Sequence, residues 1–344
     1  MRSNPSPRGP GLLSSVGGPR ARVAVHLLVA ALGALGLLLV AGCRDEGAAG
    51  PGKKRAGTPE APWLIGMSQC NLGEPWRVQM NQDIKAAAAK HPNLKIIEKD
   101  AQNDALRQRA QVEELVNQGI DLLIISPKEA TPLTRPVEEV YKRGIPVIVL
   151  DRAVDGDQFT MFIGADNKKI GHEAGKWIAK ALGGQGKIVE LKGLMTSTPA
   201  QDRHSGFLEG IDLAANPGIK IVFEADMAWL EPNARREMES ALAAQPEIDL
   251  VYAHNDPGAH GAYLAAKDAG RVMKLVGIDA LPHEGVDYVK QGILDATFAY
   301  PTGGAEAIES ALKILKGEKV EKKIVLGTRL FTKENVAGGG VVIP

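Results

Sequence analysis

Four apolar, strand-like runs end abruptly in polar side chains: I-G-M-S-Q at 65–69, V-I-V-L-D-R at 147–152, L-V-Y-A-H-N-D at 250–256 and K-L-V-G-I-D at 274–279. Asp151 and Asp279 can accept hydrogen bonds from paired hydroxyls, Arg152 and Arg203 offer forked donors, and Asn255 does both. Trp76 and Trp229 add flat apolar faces in a chain with only 4% aromatic residues. Vicinal hydroxyls in a plane with C–H faces above and below are the chemistry of a sugar ring. Hydrogen bonds to charged groups are worth ~1.5–3 kcal/mol each, and a missing one in a dry pocket costs about as much, so such a site separates epimers.

Each residue also has a plainer reading. Asp151 and Arg152 could form a surface ion pair; Asp279 and Asn255 could cap the helices that follow them. Trp229, in A-D-M-A-W-L-E-P, could belong to a core or a surface, and Asp166 with Asn167 could serve a hinge and the next helix N-terminus.

The elements that would position these groups alternate. Runs at 65–68, 95–98, 122–126 and 147–150 read as strands, being short and rich in β-branched residues. Between them 76–90, 105–118 and 132–143 carry helical spacing, with Gly119 and Gly144 where left-handed caps are needed. After a short strand at 161–164 the pattern restarts, with strands at 187–191, 219–224, 250–253 and 275–278 and helices near 169–182, 201–214, 232–244, 258–269 and 283–291. Short connections between alternating strands and helices imply parallel strands with right-handed crossovers. The carboxyl ends of such strands open onto the crevice where ligands bind, so the polar ends should converge. A strand at 296–300, a helix near 305–316 and an extended piece at 323–331 are too few for a third domain and should cross back between the lobes. The expected fold is α/β, two doubly wound parallel-sheet lobes joined by a multi-strand hinge.

Trp76, D-R at 151–152, A-D-N at 165–167, D-R-H-S-G-F at 202–207, H-N-D at 254–256 and G-I-D at 277–279, in this order over residues 63–331, resemble a periplasmic sugar-binding protein of the ribose/galactose type. W-R at 76–77 and Y-A-H-N-D at 252–256 look closest to galactofuranose-binding members. The resemblance implies a type I periplasmic binding protein fold, a monosaccharide sandwiched by Trp76 and Trp229, and delivery to the permease of an ABC importer. Where ribose binders carry a second aromatic and a glutamine, this chain has Arg77 and Tyr300, and Glu74 is a further polar candidate. No cofactor or metal is expected, and the protein is expected to be a monomer.

Arg2, Arg8, Arg20 and Arg22 precede an apolar run at 23–40 that ends in V-A-G-C at 40–43. This is the grammar of an export signal, and V-A-G-C resembles a lipobox, implying cleavage before Cys43 and a lipid on its sulfur; an uncleaved membrane anchor is the alternative. Residues 44–61 read as a flexible tether. The expected lobes are 62–164 plus about 301–325, and 165–300 plus about 326–344. With Cys43 lipidated, Cys70 has no intramolecular partner.

The 344 residues balance 41 basic against 41 acidic groups, which argues against nucleic acid as a partner. An enzyme would need a nucleophile beside a base, and no G-x-S-x-G, G-x-x-x-x-G-K-[ST] or H-E-x-x-H motif occurs. His204 and His260 read as solvent or packing residues. A sugar-responsive transcription regulator should begin with a helix-turn-helix, where this chain has an export signal. A receptor that feeds a membrane sensor shares the same fold and is not separated from an importer subunit by sequence.

Overall fold

The computed structural model describes Arg55 and residues 57–344. Cys43, the apolar run before it and residues 44–54 of the expected tether lie outside the described residues. The end of that stretch is held in place: Arg55 donates to the Asp121 carboxylate at 2.9 Å, and Thr58 bridges Ala61.

The chain then runs β1 (Trp63–Gln69), α1 (Pro75–Ala88), β2 (Leu94–Asp100), α2 (Ala105–Asn117), β3 (Leu122–Ser126), α3 (Ala130–Lys142), β4 (Val147–Leu150) and β5 (Met161–Ala165). A second series follows: α4 (Asn167–Ala181), β6 (Gln185–Lys192), α5 (Thr198–Ile211), β7 (Gly218–Asp226), α6 (Glu231–Ala244), β8 (Leu250–Ala253), α7 (Asp256–Asp268), β9 (Lys274–Asp279), α8 (Gly285–Gln291) and β10 (Ala296–Ala299). It ends with α9 (Gly304–Leu315), β11 (Lys323–Leu326), β12 (Thr328–Thr332) and β13 (Val341–Ile343). The elements fall where the periodicity predicts them, with ends shifted by a turn or less.

Two sheets result. The first has the order β11-β5-β4-β3-β1-β2 and is parallel throughout. The second, β13-β12-β10-β9-β8-β6-β7, is parallel from β7 to β10 and closes with antiparallel β12 and β13. Strands β3, β4 and β8 are buried at every position, which requires helices on both faces. In the first sheet Leu122, Ile124 and Ile148 join Met80 and Ile84 of α1 and Ile308 of α9, whereas Leu123, Ile125 and Val147 face Leu115 of α2 and Val137 of α3. The second sheet repeats the arrangement, with Leu250 and Val276 among Ile170 of α4 and Phe207 of α5, and Val251 and Leu275 among Met238 of α6 and Ala262 of α7.

Helix α5 matters most for the site, and it is seated backbone to backbone on α4. A Cβ added at Gly206 would lie 2.0 Å from the Lys168 carbonyl oxygen, and one at Gly210 would lie 1.9 Å from that of His172. Only glycine allows this approach.

The chain passes between the sheets after β5, after β10 and after β11. The last crossing corrects the single extended piece expected at 323–331. It is two strands, β11 paired with β5 in one sheet and β12 paired with β10 in the other, with Gly327 between them. β13 is a further departure from expectation, its V-V-I too short to display a period.

Candidate functional site

The carboxyl ends of both sheets face one narrow pocket, lined by Glu74, Trp76, Arg77, Asp151, Pro199, Arg203, Trp229, Asn255, Asp279 and Tyr300. The β1–α1 connection and the first turn of α1 supply Glu74, Trp76 and Arg77, and the end of β4 supplies Asp151. From the other sheet come Pro199 and Arg203 on α5, Trp229 after β7, Asn255 after β8, Asp279 at the end of β9 and Tyr300 after β10.

Arg152 is the one expected site residue that is not part of this lining. It is 1% exposed, donates Nη1 to the Lys128 carbonyl at 2.9 Å and lies 5.7 Å from the Trp229 ring centroid. Its Nε and Nη2 are buried without a hydrogen-bond partner. Pro199 lines the cavity unannounced, because a proline near a helix start carries no chemical signal of its own.

Asp151 is the hub of the first sheet's contribution. It accepts from Arg77 Nη2 at 2.7 Å, from the Tyr300 hydroxyl at 2.5 Å and from Ser126 Oγ at 3.3 Å, with Arg152 Nε 3.9 Å away. Burial alone would raise its carboxyl, yet the Arg77 and Arg152 charges and the hydrogen bonds hold it below the usual aspartate range. Burial works against the Arg77 charge as well, and Asp151, Cys70 and Glu74 overcome it, so the guanidinium is raised above its ordinary value. Arg77 also donates Nη1 to Ser126 Oγ at 2.7 Å, which leaves its buried Nε unpartnered, 3.9 Å from Glu74 Oε2.

Arg203 is the hub on the other side. It donates Nε to Asn167 Oδ1 at 2.9 Å and Nη1 to the His254 carbonyl, and stands 3.9 Å from Asp279 Oδ1. Its guanidinium lies over Trp229 at 5.3 Å and over Tyr300 at 4.4 Å. Asp279 accepts no side-chain hydrogen bond among the described residues, and burial pushes its carboxyl well above the ordinary value, with Arg203 only partly offsetting this. Tyr300 joins the two hubs: its hydroxyl accepts from Asn167 Nδ2 at 3.1 Å while donating to Asp151, and its carbonyl accepts from Trp76 Nε1 at 2.6 Å. Trp76 stacks on Tyr300 with centroids 4.9 Å apart.

The backbone is strained where it meets the cavity. Asp151, Trp229 and Asp279 have φ of 69°, 71° and 133°, and Ala228 and Ala280 beside the last two have 51° and 52°. Non-glycine residues in this region cost about 1–3 kcal/mol each and cluster at ligand sites.

Other polar strand ends turn away from the cavity. Gln69 donates to Asn81 Oδ1 of α1 at 2.9 Å. Asp256 accepts from the Ala280 amide at 2.7 Å and Thr297 Oγ1 at 2.6 Å, and burial lifts its carboxyl to about 6. Asn255 does cap α7, accepting from the Gly258 amide at 3.0 Å, and still lines the cavity. Asp279 is no cap, since α8 begins beyond Glu284. Asp166 caps α4 through the Lys169 amide at 2.9 Å, whereas Asn167 goes beyond the expected hinge role and braces both Arg203 and Tyr300. Cys70 is fully buried and does not line the cavity. His204 is no bland packing residue, since it pairs with a buried Glu190, and His260 meets Glu231 at 3.2 Å.

Two sheets of this topology with a polar, aromatic-lined pocket between their carboxyl ends define a two-lobed binding protein. The profile of the periplasmic binding protein domain matches residues 65–319, and the chain belongs to that family. It is 32% identical over 274 residues to the ribose import binding protein of Bacillus subtilis, covering 79% of this chain and 88% of the relative. With the galactofuranose-binding protein of Escherichia coli it shares 34% identity over 218 residues, 61% of this chain and 67% of the relative. Among solved structures it is similar to the fructose-binding periplasmic domain of a hybrid two-component system, with 44% identity and a TM-score of 0.78 over 80% of this chain and 93% of that one. These relatives are binding proteins, not enzymes, and the family implies a location outside the cytoplasm. No helix among the described residues is long and apolar enough to cross a membrane.

Proposed function

We propose that the protein is a monomeric receptor, lipid-anchored through Cys43, that closes two lobes over one monosaccharide and presents the closed face to the permease of an ABC importer. The lobes are 62–164 plus about 301–325, and 165–300 plus about 326–344. The observation that carries this reading is the convergence of charged, amide and aromatic side chains from both sheets on one cavity, three of them on left-handed or otherwise strained backbone. Asp151 and Arg77 hold hydroxyls from the first lobe, Arg203, Asn255 and Asp279 from the second, and Trp76 and Trp229 cover the ring. Arg152 acts from behind Asp151, while Glu74 and Tyr300 trim the specificity. The Asp279 carboxyl, which lines the cavity and accepts no side-chain hydrogen bond among the described residues, is a group that a polyol hydroxyl completes.

Arg77 and Tyr300 set the site apart from the ribose pattern, and the similar proteins named for galactofuranose and fructose point the same way. We therefore place fructose and furanose-ring hexoses ahead of ribose. Service to a membrane sensor is the second reading, supported by the two-component relative. Either output uses the same closure, which the ligand drives only through contacts it gains in the closed state.

A thermal-shift screen of pentoses, hexoses, furanosides and polyols, followed by small-angle scattering with the best stabiliser, tests the reading. A sugar at 100 times its dissociation constant should add about 2.7 kcal/mol of stability and reduce the radius of gyration. No stabiliser in the whole panel, or equal compactness with and without one, would overturn it. For the anchor, mass spectrometry of the mature protein should find a diacylglyceryl adduct on an N-terminal Cys43, and an unmodified Cys43 would refute the lipidation.

A further inference from the structure

Glu190 lies in the middle of β6, fully buried, in register with Glu224 on β7 and Tyr252 on β8. A carboxylate directly opposite another on a neighbouring strand is unfavourable by itself. Two imidazoles answer it. His204 Nδ1 is 2.9 and 3.0 Å from the two Glu190 oxygens, and His254 Nε2 is 2.9 Å from Oε1. The Gly193 amide donates to His254 Nδ1 at 3.2 Å, so the ring proton of His254 sits on Nε2 and points at Glu190. Burial opposes the charge of Glu190, but the hydrogen bonds from His204 and His254 prevail and pull its carboxyl down to about 2.

The consequence reaches the cavity by two routes. The peptide carbonyl of His254 receives Arg203 Nη1, and the next residue, Asn255, lines the cavity and donates Nδ2 to the Trp229 carbonyl at 2.9 Å. His204 directly follows Arg203 on α5. One carboxylate thus grips both sides of the contact that fixes Arg203. We propose that Glu190 is a positioning residue for the ligand site, holding Arg203 and Asn255 in their poses through His204 and His254, and that the charge of His204 makes ligand affinity depend on pH. This rests on the sugar-binding reading above.

The groups facing His204 are Glu190 and Lys192 from β6, Glu224 from β7 and, across Glu190, Tyr252 of β8 and His254 just after it; on α4, Lys168 is taken up by Glu209 of α5 at 2.7 Å. The hydrogen bond to Glu190 raises the His204 imidazole above its ordinary value, and burial lowers that of His254. A raised histidine contributes stabilisation that is fully present below its ordinary value and lost as pH rises through the folded one. Ligand atoms of Glu190, His204 and Glu224 lie within 4.8 Å of one another, as in a cation site, but each carboxylate already faces nitrogen donors, with Lys192 Nζ 3.5 Å from Glu224. The set is therefore internally satisfied.

The experiment measures affinity by calorimetry, for the sugar found in the screen, between about pH 6 and pH 9, the range that spans histidine titration. Wild type should weaken severalfold across that range. Glu190→Gln, which keeps the shape and loses the charge, should bind about tenfold more weakly at the acid end, a typical coupling between linked sites, with a flat profile. His204→Lys, charged throughout, should match wild type near pH 6 and lose most of the decline, which separates His204 from Asp256 and Glu284, held by burial at about 6 and about 7. A folded Glu190→Gln with wild-type affinity and profile overturns the proposal, as does a His204→Lys that declines like wild type. If Glu190→Gln fails to fold, the His204→Lys profile decides alone. A wild type that binds no sugar overturns the sugar reading instead, so the two failures are distinct.

Discussion

Arg203→Ala is expected to abolish measurable sugar binding and to lower unfolding stability by about 3–5 kcal/mol, the cost of breaking a buried ionic cluster from one side. Arg203 is 2% exposed and adds polar and stacking contacts among elements that already share one core. Its Nε holds Asn167 at the start of α4, its Nη1 holds the end of β8, and its plane fills the space between Trp229 and Tyr300. Without it Asp279 and Asp256, both already raised by burial, lose the cation that partly offsets that burial. Two charge-assisted hydrogen bonds at ~1.5–3 kcal/mol each correspond to a loss of at least about a hundredfold in affinity. Arg203→Lys should rescue little of this, because an ammonium cannot reproduce a planar fork that is stacked as well as hydrogen-bonded. Calorimetry and urea unfolding of both variants check the pair of effects. Wild-type affinity in Arg203→Lys would show that charge alone matters at this position.

How far such a site can be read from sequence depends on whether the residue itself touches the cavity. Asp151, Asn255 and Asp279 stand where apolar runs stop, so the two-residue period of a strand and the position of its carboxyl end were enough to bring them together. The same signal overreached at Gln69 and Asp256, because a strand end fixes where a side chain starts and not which way it turns. Asp256 turns under Gly277 and Gly285, where a Cβ at either glycine would collide with its carboxylate. Glu190 is illegible in the sequence for the opposite reason. In I-V-E-L-K it resembles the outward residue of an alternating strand, and only α5 and the end of β8, distant in sequence, reveal that it is buried and doubly bonded. The break at Gly327 was hidden likewise, since one extended run of residues serves two sheets and the sequence carries no mark of which partner each half takes.

Asp151→Asn isolates charge from shape on the other side of the cavity, and it should weaken sugar binding by at least two orders of magnitude. The amide still offers Tyr300 an oxygen, so the loss reports the charge that Arg77 at 2.7 Å and Arg152 at 3.9 Å require. Both guanidiniums are almost wholly buried and would be left with Glu74 alone, itself 3.9 Å from Arg77, so a destabilisation of about 3–5 kcal/mol near neutral pH is expected. The pH dependence fixes the sign. Asp151 has its folded value below the ordinary one, so the stability it contributes is fully present above the ordinary aspartate value and lost as pH falls through the folded one. The gap between wild type and Asp151→Asn in urea unfolding should therefore stay constant through the neutral range and close only in acid. Asp256 supplies the contrast: raised to about 6, it contributes stability that is present in acid and lost as pH rises through that value. Asp256→Asn should accordingly narrow the wild-type loss of stability between about pH 4 and pH 6, where Asp151→Asn leaves the slope almost unchanged. A gap for Asp151→Asn that already closes near pH 6 would mean that its carboxyl is not held by the two arginines, and the first lobe's half of the site would have to be redrawn.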